Sequence, residues 1–358
     1  WLALRYSNDP RLDAQIGTCD YYLYEGLAGI ILFMKAMQAS IGEYEDLCRT
    51  AENVLFEYTD SVYEGKRDPD SDYTGLYCGE GAIVYAYQAL FRFTGERRFL
   101  FYAVKHAEIL KRLLEYDKSI DILYGNAGAI IAFCGLYKVT NNIKYLEYAK
   151  EAEEFLRRNL QISEEGIFFC GHGMEKPCAG IAHGNSGLIL AYGQLWQYTK
   201  EDIYTDVLFD LLSYENMLFI DRLKGVKETD WKTSQLPSWC HGDLGILWTY
   251  LKLKEMTGDE FDPETKMVLK NGEKILEKVV LRRSMGICHG NFGNLFLMKE
   301  CGEKLQLGSN IISCFEKKIK KLLSKEVLLM PKEQMDYGLM QGISGIGYSC
   351  LKLHKKLI

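Results

Sequence analysis

Two dipeptides carry the residue types best suited to chemistry, Cys240-His241 and Cys288-His289, and each runs straight into a glycine. The chain has only 6 histidines. Four of them precede a glycine: His172, His183, His241 and His289. His183, His241 and His289 share one slot, directly before the first glycine of a Gly-x-x-Gly pattern that opens an apolar run. Two thiolates and an imidazole are a natural zinc set. Three protein ligands also leave a fourth position open, which is the pattern of a catalytic site rather than a closed structural one. The expected ligands are Cys240, Cys288 and His289. The rival reading makes them buried thiols and capping histidines. A lone Cys-His pair would favour that rival, and two pairs in one register outweigh it. Helix N-termini, where these residues are expected, also favour thiolate over thiol.

The remaining histidines of the register divide by neighbour. His241 follows a ligand cysteine, so it either competes as a ligand or stands by as a proton-transfer group. His183 has Ala182 where the others have cysteine, and a non-ligand histidine beside a metal is a candidate acid or base. Asp121, four residues before Gly125 in an apolar stretch, is a candidate carboxylate for the same place or, alternatively, a helix cap. Cys170-Gly171-His172-Gly173 with Cys178 has metal-like residue types but falls in a loop out of register with the repeats. Asp68, Asp70 and Asp72 read as a solvated loop rather than a calcium or diphosphate site.

Such distant residues converge only if repeated elements present equivalent slots at one place. The second glycine of the pattern recurs at Gly29, Gly81, Gly128, Gly187, Gly245, Gly293 and Gly345, 47 to 59 residues apart. In the second copy Cys78 stands in for the first glycine. A unit of this size holds two helices. In the third, Ala129 to Tyr137 is apolar nearly all round, as suits a helix buried on every side. After a turn at Thr140-Asn141-Asn142, Tyr145, Tyr148, Ala149, Ala152, Phe155 and Leu156 recur at helical spacing among charged residues, an amphipathic partner. The stretch from Phe101 to Leu114 reads as another outer helix. Six or seven inner–outer pairs predict an all-α, closed α/α toroid, with an open solenoid as the rival. The glycines are expected to let the chain turn sharply and let crowded backbones approach.

Composition agrees with a large buried core: 358 residues, 47% hydrophobic, 26% charged. A net charge of -6 without a basic cluster argues against nucleic acid. No apolar run approaches the roughly 18 residues of a membrane span. Eleven scattered cysteines point to a reducing, cytoplasmic setting rather than a disulfide framework. The tyrosines, 24 of them, are expected mostly in the core, with some lining a peptide groove. The chain opens on Trp1, so it is expected to be an excised piece of something longer or to have a processed start.

At Trp239-Cys240-His241-Gly242, Cys288-His289-Gly290, Ala182-His183-Gly184 and the repeated Gly-x-x-Gly, the sequence resembles the lanthionine synthetase C-like (LanC-like) family over essentially its whole length. Trp1-Leu2-Ala3-Leu4, Leu23 to Gly29 and Leu339 to Tyr348 resemble the two ends of the cyclase half of class II lanthipeptide synthetases. The resemblance implies residues 1–358 as one cyclase domain of a longer bifunctional chain, partnered by an N-terminal dehydratase domain. It implies a toroid with one zinc on Cys240, Cys288 and His289, and functional roles for His183 and Asp121. The implied reaction adds the Cys thiol of a dehydrated precursor peptide, leader plus core, to dehydroalanine or dehydrobutyrine, giving lanthionine or methyllanthionine. Class I cyclases carry an Arg shortly before the first ligand Cys and a Tyr after it. Leu236 and His241 stand there in this chain, and His241 matches the class II pattern. Two other readings carry the same residues: a non-catalytic peptide- or glutathione-binding scaffold, and a prenyltransferase-like, zinc-dependent thiol-alkylating enzyme.

Overall fold

The computed structural model describes residues 2–5, 15–223, 237–258, 262–282, 284–308, 310–323 and 336–354. Trp1 and Leu236 lie outside them. Seven inner helices follow the repeat: α1 (Leu27–Ile41), α3 (Glu80–Thr94), α5 (Asn126–Thr140), α7 (Asn185–Thr199), α9 (Asp243–Thr257), α12 (Asn291–Lys304) and α14 (Ile343–His354). Between them run the outer helices α2 (Glu45–Tyr63), α4 (Arg97–Leu113), α6 (Ile143–Arg157) and α8 (Asp202–Leu223), the broken pair α10 (Pro263–Lys270) and α11 (Gly272–Glu277), and α13 (Asn310–Leu323). From α1 to α12 each inner helix packs on the next, α14 packs on α1, and the turns before α12 and α14 are joined by Cys288 N donating to Met340 O at 2.9 Å. The ring is therefore closed, an α/α toroid, and the solenoid alternative falls.

Burial separates the two layers as the patterning predicts. In α5, Ala127, Ala129, Ile130, Phe133, Cys134 and Leu136 are all fully buried, so no face is left for charge. In α4, Ala103, Ala107, Leu110 and the following Leu114 are buried while Phe101 faces water. Four inner helices end on a left-handed residue, Gly42 and Gly95 or the less usual Asn141 and Lys200, which turns the chain sharply outward to the next outer helix.

Two small hairpins interrupt the helices. Strand β1 (Leu2–Arg5) pairs antiparallel with β2 (Gln15–Thr18), and β3 (Gln161–Ser163) with β4 (Gly166–Phe168). The second hairpin packs on α8, with Phe168 stacked on Tyr214 at 4.8 Å. It carries the Cys170–His172 loop to the end of the ring where the inner helices begin.

The glycines act by proximity, not by unusual dihedrals. The first glycine of each copy caps its helix in extended conformation, as at Gly26, Gly125 and Gly184. A Cβ on the second glycine would strike the carbonyl six residues earlier: Leu23 for Gly29, Ile122 for Gly128, Trp239 for Gly245, Leu339 for Gly345. This geometry corrects the second copy. Gly79, not Cys78, caps α3, and a Cβ there would crowd Tyr73, again six residues back. Ala82 then takes the second-glycine place, and Cys78 takes the slot that His183, His241 and His289 fill elsewhere.

Gly128 is pressed from two sides, by the Ile122 carbonyl and the Leu76 amide. Gly128→Ala is expected to lower unfolding free energy by about 1–3 kcal/mol, the usual range for overpacking. Gly308, with nothing within 4 Å of a built Cβ, is the control, and Gly308→Ala should be neutral. Urea denaturation of both variants checks the contrast.

Candidate active site

With the register corrected, one slot around the ring reads Glu25, Cys78, Tyr124, His183, His241, His289 and Gln341. The slot before it reads Tyr24, Tyr77, Leu123, Ala182, Cys240, Cys288 and Met340. Main-chain hydrogen bonds join the second set from turn to turn. Tyr24 N donates to Tyr77 O at 3.0 Å and Tyr77 N to Leu123 O at 3.3 Å. Ala182 N donates to Cys240 O at 3.0 Å, Trp239 N to Cys288 O at 3.2 Å and Cys288 N to Met340 O at 2.9 Å. Met340 N donates to Tyr24 O at 3.0 Å and closes the circuit. Cys240 and Cys288 are thus neighbours on one ladder. A second row of glycines lets the turns approach: a Cβ on Gly75 would strike Leu123 O, and one on Gly180 would meet Cys240 O at 2.6 Å.

The sulfurs of Cys240 and Cys288 and a ring nitrogen of His289 lie within 4.8 Å of one another. The two sulfurs lie within hydrogen-bonding reach of each other, which favours the charged form of one and the neutral form of the other. The Cys288 S–H holds the Cys240 thiol well below its usual value, against the burial that opposes it. Cys288 is correspondingly pushed up, by that bond first and by burial second. Ser238 Oγ lies 3.6 Å from Cys240 Sγ. The Tyr24 hydroxyl is within hydrogen-bonding reach of Cys288 and accepts from Gln341 Nε2 at 2.8 Å. Two buried sulfurs, one prepared as thiolate, and an imidazole are a soft, compact donor set that suits zinc. The helices α9 and α12 begin two to three residues after these groups, so the positive ends of their dipoles lie beside them.

Between the third and fourth turns no main-chain bond is found among the described residues, and Asp121 makes the join. Its carboxylate is fully buried. Oδ1 accepts from Tyr124 N at 2.8 Å, and Oδ2 accepts from His172 N at 2.9 Å and sits 2.8 Å from His183 Nδ1. A carboxylate acceptor places the His183 proton on Nδ1 and leaves Nε2 free to exchange protons. The His183 ring lies parallel to Tyr124 at 6.2 Å and stacks on His241 at 5.6 Å. Burial, partly countered by the Cys240 charge, lowers His241 below its usual range and favours the neutral ring.

Beside His183 opens a cavity of about 500 Å³, lined by Asp20, Glu25, Tyr22, Tyr24, Tyr73, Tyr124, Cys78 and Gln341 among others. Four of the tyrosines therefore line this cavity, Tyr22 from within the core and Tyr24 and Tyr124 packed against it. Asp68, Asp70 and Asp72 are exposed, and Asp70 pairs with Arg67. The Cys170–His172 loop brings its main chain, not a metal set, to the site: Gly171 lies so close over His183 that a Cβ would meet the His183 Cβ at 2.5 Å. His172 stacks on Tyr124 at 4.4 Å. Sequence reasoning missed Tyr24, Tyr124 and Gln341, although their places in the repeat register were legible.

A family model described as "Lanthionine synthetase C-like protein" matches residues 18–358. The lacticin 481/lactococcin biosynthesis protein LcnDR2 of Lactococcus lactis subsp. lactis is 27% identical over 203 residues, 51% of this chain and 21% of that protein. The chain thus aligns with only about a fifth of that relative's length. Among solved structures, nisin cyclase superposes with a TM-score of 0.69 at 17% identity, covering 94% of this chain and 89% of that one. Cellobiose 2-epimerase from Bacillus thermoamylovorans reaches 0.50 at 15% identity, over 86% of this chain and 100% of its own. These likenesses at low identity speak for the shared toroid. No described helix is long and apolar enough to cross a membrane.

Asp121 accepts two main-chain N–H bonds as well as the imidazole, whereas Asp68 is exposed. Asp121→Asn replaces an acceptor oxygen with a donor and is expected to cost about 1–3 kcal/mol. Asp68→Asn should fall within about 0.5 kcal/mol of the parent. Paired urea titrations at neutral pH measure both.

Proposed function

Because this chain belongs to the lanthionine synthetase C-like family, we propose that it is a zinc-dependent lanthipeptide cyclase. Its substrate is a dehydrated precursor peptide, leader plus core. Its reaction is intramolecular Michael addition of a Cys thiolate to dehydroalanine or dehydrobutyrine. The observation that carries this reading is the gathering of Cys240, Cys288 and His289 within 4.8 Å of one another, with Tyr24 reaching Cys288 from the wall of a tyrosine-lined cavity that also presents His183, held by Asp121.

Cys240, Cys288 and His289 would hold the ion. Bound there, zinc supplies Lewis acidity that lowers a thiol's pKa into the neutral range. The chain's own residues do the rest. Two protein thiolates leave an arriving sulfur electron-rich, and a cavity walled by Tyr22, Tyr24, Tyr73 and Tyr124 suits a peptide segment. In the addition, sulfur bonds to the β-carbon and the C=C electron pair moves toward the carbonyl. The resulting enolate needs a proton at Cα. His183, oriented through Nδ1 by Asp121, delivers it from Nε2, and the proton given up by the thiol restores the balance. His241 is the second candidate for that transfer. The dehydration step belongs, in this proposal, to an N-terminal dehydratase domain of the same enzyme.

Incubation with a dehydrated, Cys-containing peptide, followed by thiol alkylation and mass spectrometry, tests the assignment. The parent protein should bind about one zinc per chain and close rings. Cys240→Ala should lose both zinc and ring formation. His183→Asn should keep zinc and slow ring closure by about 10²–10⁴-fold. Undiminished ring formation by Cys240→Ala, or by protein stripped with a chelator, would end the metal assignment. Zinc binding without any ring formation would favour the scaffold reading.

A further inference from the structure

Arg282 lies outside every motif the sequence singles out. One side chain grips its main chain at both ends: Asn291 Oδ1 accepts from Arg282 N at 2.8 Å, and Asn291 Nδ2 donates to Arg282 O at 2.9 Å. Asn291 is itself buried, at the first position of α12 and two residues past His289. The grip delivers the guanidinium to the back of the sulfur site, where Nη1 donates to the His289 carbonyl at 3.1 Å. Nε and Nη2 are buried as well and find no acceptor among the described residues. No carboxylate pairs with Arg282 among those residues either.

A guanidinium buried in this way is costly unless something offsets its charge. The group it holds belongs to the sulfur site itself: the His289 whose carbonyl takes Nη1 has a ring nitrogen within 4.8 Å of the Cys240 and Cys288 sulfurs. The site's own arithmetic supplies the offset. A divalent ion held by two protein thiolates would be neutral, and a substrate thiolate beside them would add one negative charge.

We propose that Arg282 is the counter-charge of the sulfur site, a positioning residue that favours ionised over neutral thiol there without touching the substrate. This rests on the metal reading given above. It explains why the cation is pinned through its main chain and its partner carbonyl belongs to His289: both hold it behind the donors rather than in the cavity.

Cobalt-loaded protein titrated with N-acetylcysteine amide across pH, followed by the sulfur-to-cobalt absorption, measures how readily a thiol binds as thiolate. Arg282→Gln is expected to keep one metal per chain and to move the midpoint of thiol binding up by about one pH unit. Below the midpoint that is about tenfold weaker binding. Arg282→Lys keeps the charge and should stay within a few tenths of a unit of the parent. An unmoved midpoint in metal-loaded Arg282→Gln overturns the proposal, as does an equal shift in Arg282→Lys. Should Arg282→Gln fail to fold, Asn291→Ala releases the grip while keeping the charge and should shift the midpoint in the same direction. An unmoved midpoint there overturns the proposal equally. A parent protein that binds no cobalt or zinc overturns the metal reading and this inference together, whereas metal bound with no shift overturns the inference alone.

Discussion

The circle of main-chain hydrogen bonds at the helix N-termini is the constraint on which the rest of the molecule depends. Seven turns lie edge to edge, and at six of the seven joins main-chain groups of neighbouring turns pair directly. A buried peptide group left unpaired costs more than a formed bond returns, so the turns must close on one another or open to water. Closing them demands that backbones nearly touch. That demand explains both glycine rows: one tucked against the carbonyl six residues back, the other against the next turn. The helices then have no choice of pole. Their N-termini converge, and whatever side chains occupy the two slots before each first glycine converge with them.

Six of the seven joins are main chain to main chain among the described residues. The seventh, between the turns ending at Leu123 and Ala182, is made by the carboxylate of Asp121. A buried carboxylate takes the place of a main-chain bond at the join where the cavity, His183 and the hairpin-borne His172 loop meet. Asp121 is therefore at once the closure of the ring and the acceptor that sets the His183 tautomer. These two duties cannot be separated by simple truncation, because removing the carboxylate strands two N–H groups as well as the imidazole. The thiol pair lies two joins further along the same ladder, at the Cys240–Cys288 step, so ring closure also sets the spacing of the sulfurs.

Much of this was legible in the sequence because repeats convert spacing into position. Cys240, Cys288 and His289 could be placed together from register alone, and the toroid followed from the alternation of wholly apolar and amphipathic helices. The register slipped in the second copy, where Gly79-Glu80-Gly81 offers two glycines and the pattern fits either way. Only the capping residue decides between them, and capping is a property of the folded turn. That one-residue slip hid the kinship of Cys78 to the histidines, whereas Tyr124 and Gln341 already stood in the same slot of correctly read copies. Other residues were illegible for a different reason. Tyr24 meets Cys288 only through ring closure, His172 reaches Asp121 only because a short hairpin packs on α8, and Arg282 is placed by a side chain nine residues away. His172 and Arg282 leave no periodic trace, and Tyr24 leaves only its slot, not its partner.

Fold and chemistry separate cleanly here. A sugar epimerase shares the toroid closely enough to superpose over most of its length, yet the ring imposes only a pole, a ladder and a set of slots. The slots decide the rest. Five of the seven places two residues before the cap carry tyrosine, leucine, alanine or methionine, an apolar floor. Cysteines at the other two, on adjacent turns, form a donor pair, because Trp239 N bonds Cys288 O and holds those turns together. A histidine in the next slot supplies the third donor at no further cost in backbone geometry. The same argument locates the counter-charge. A site assembled from two sulfurs draws negative charge into a region whose own cations are only partial helix dipoles, and a full positive charge must enter from outside the repeat. Arg282 does so through Asn291, the residue that opens the very helix whose turn carries Cys288 and His289.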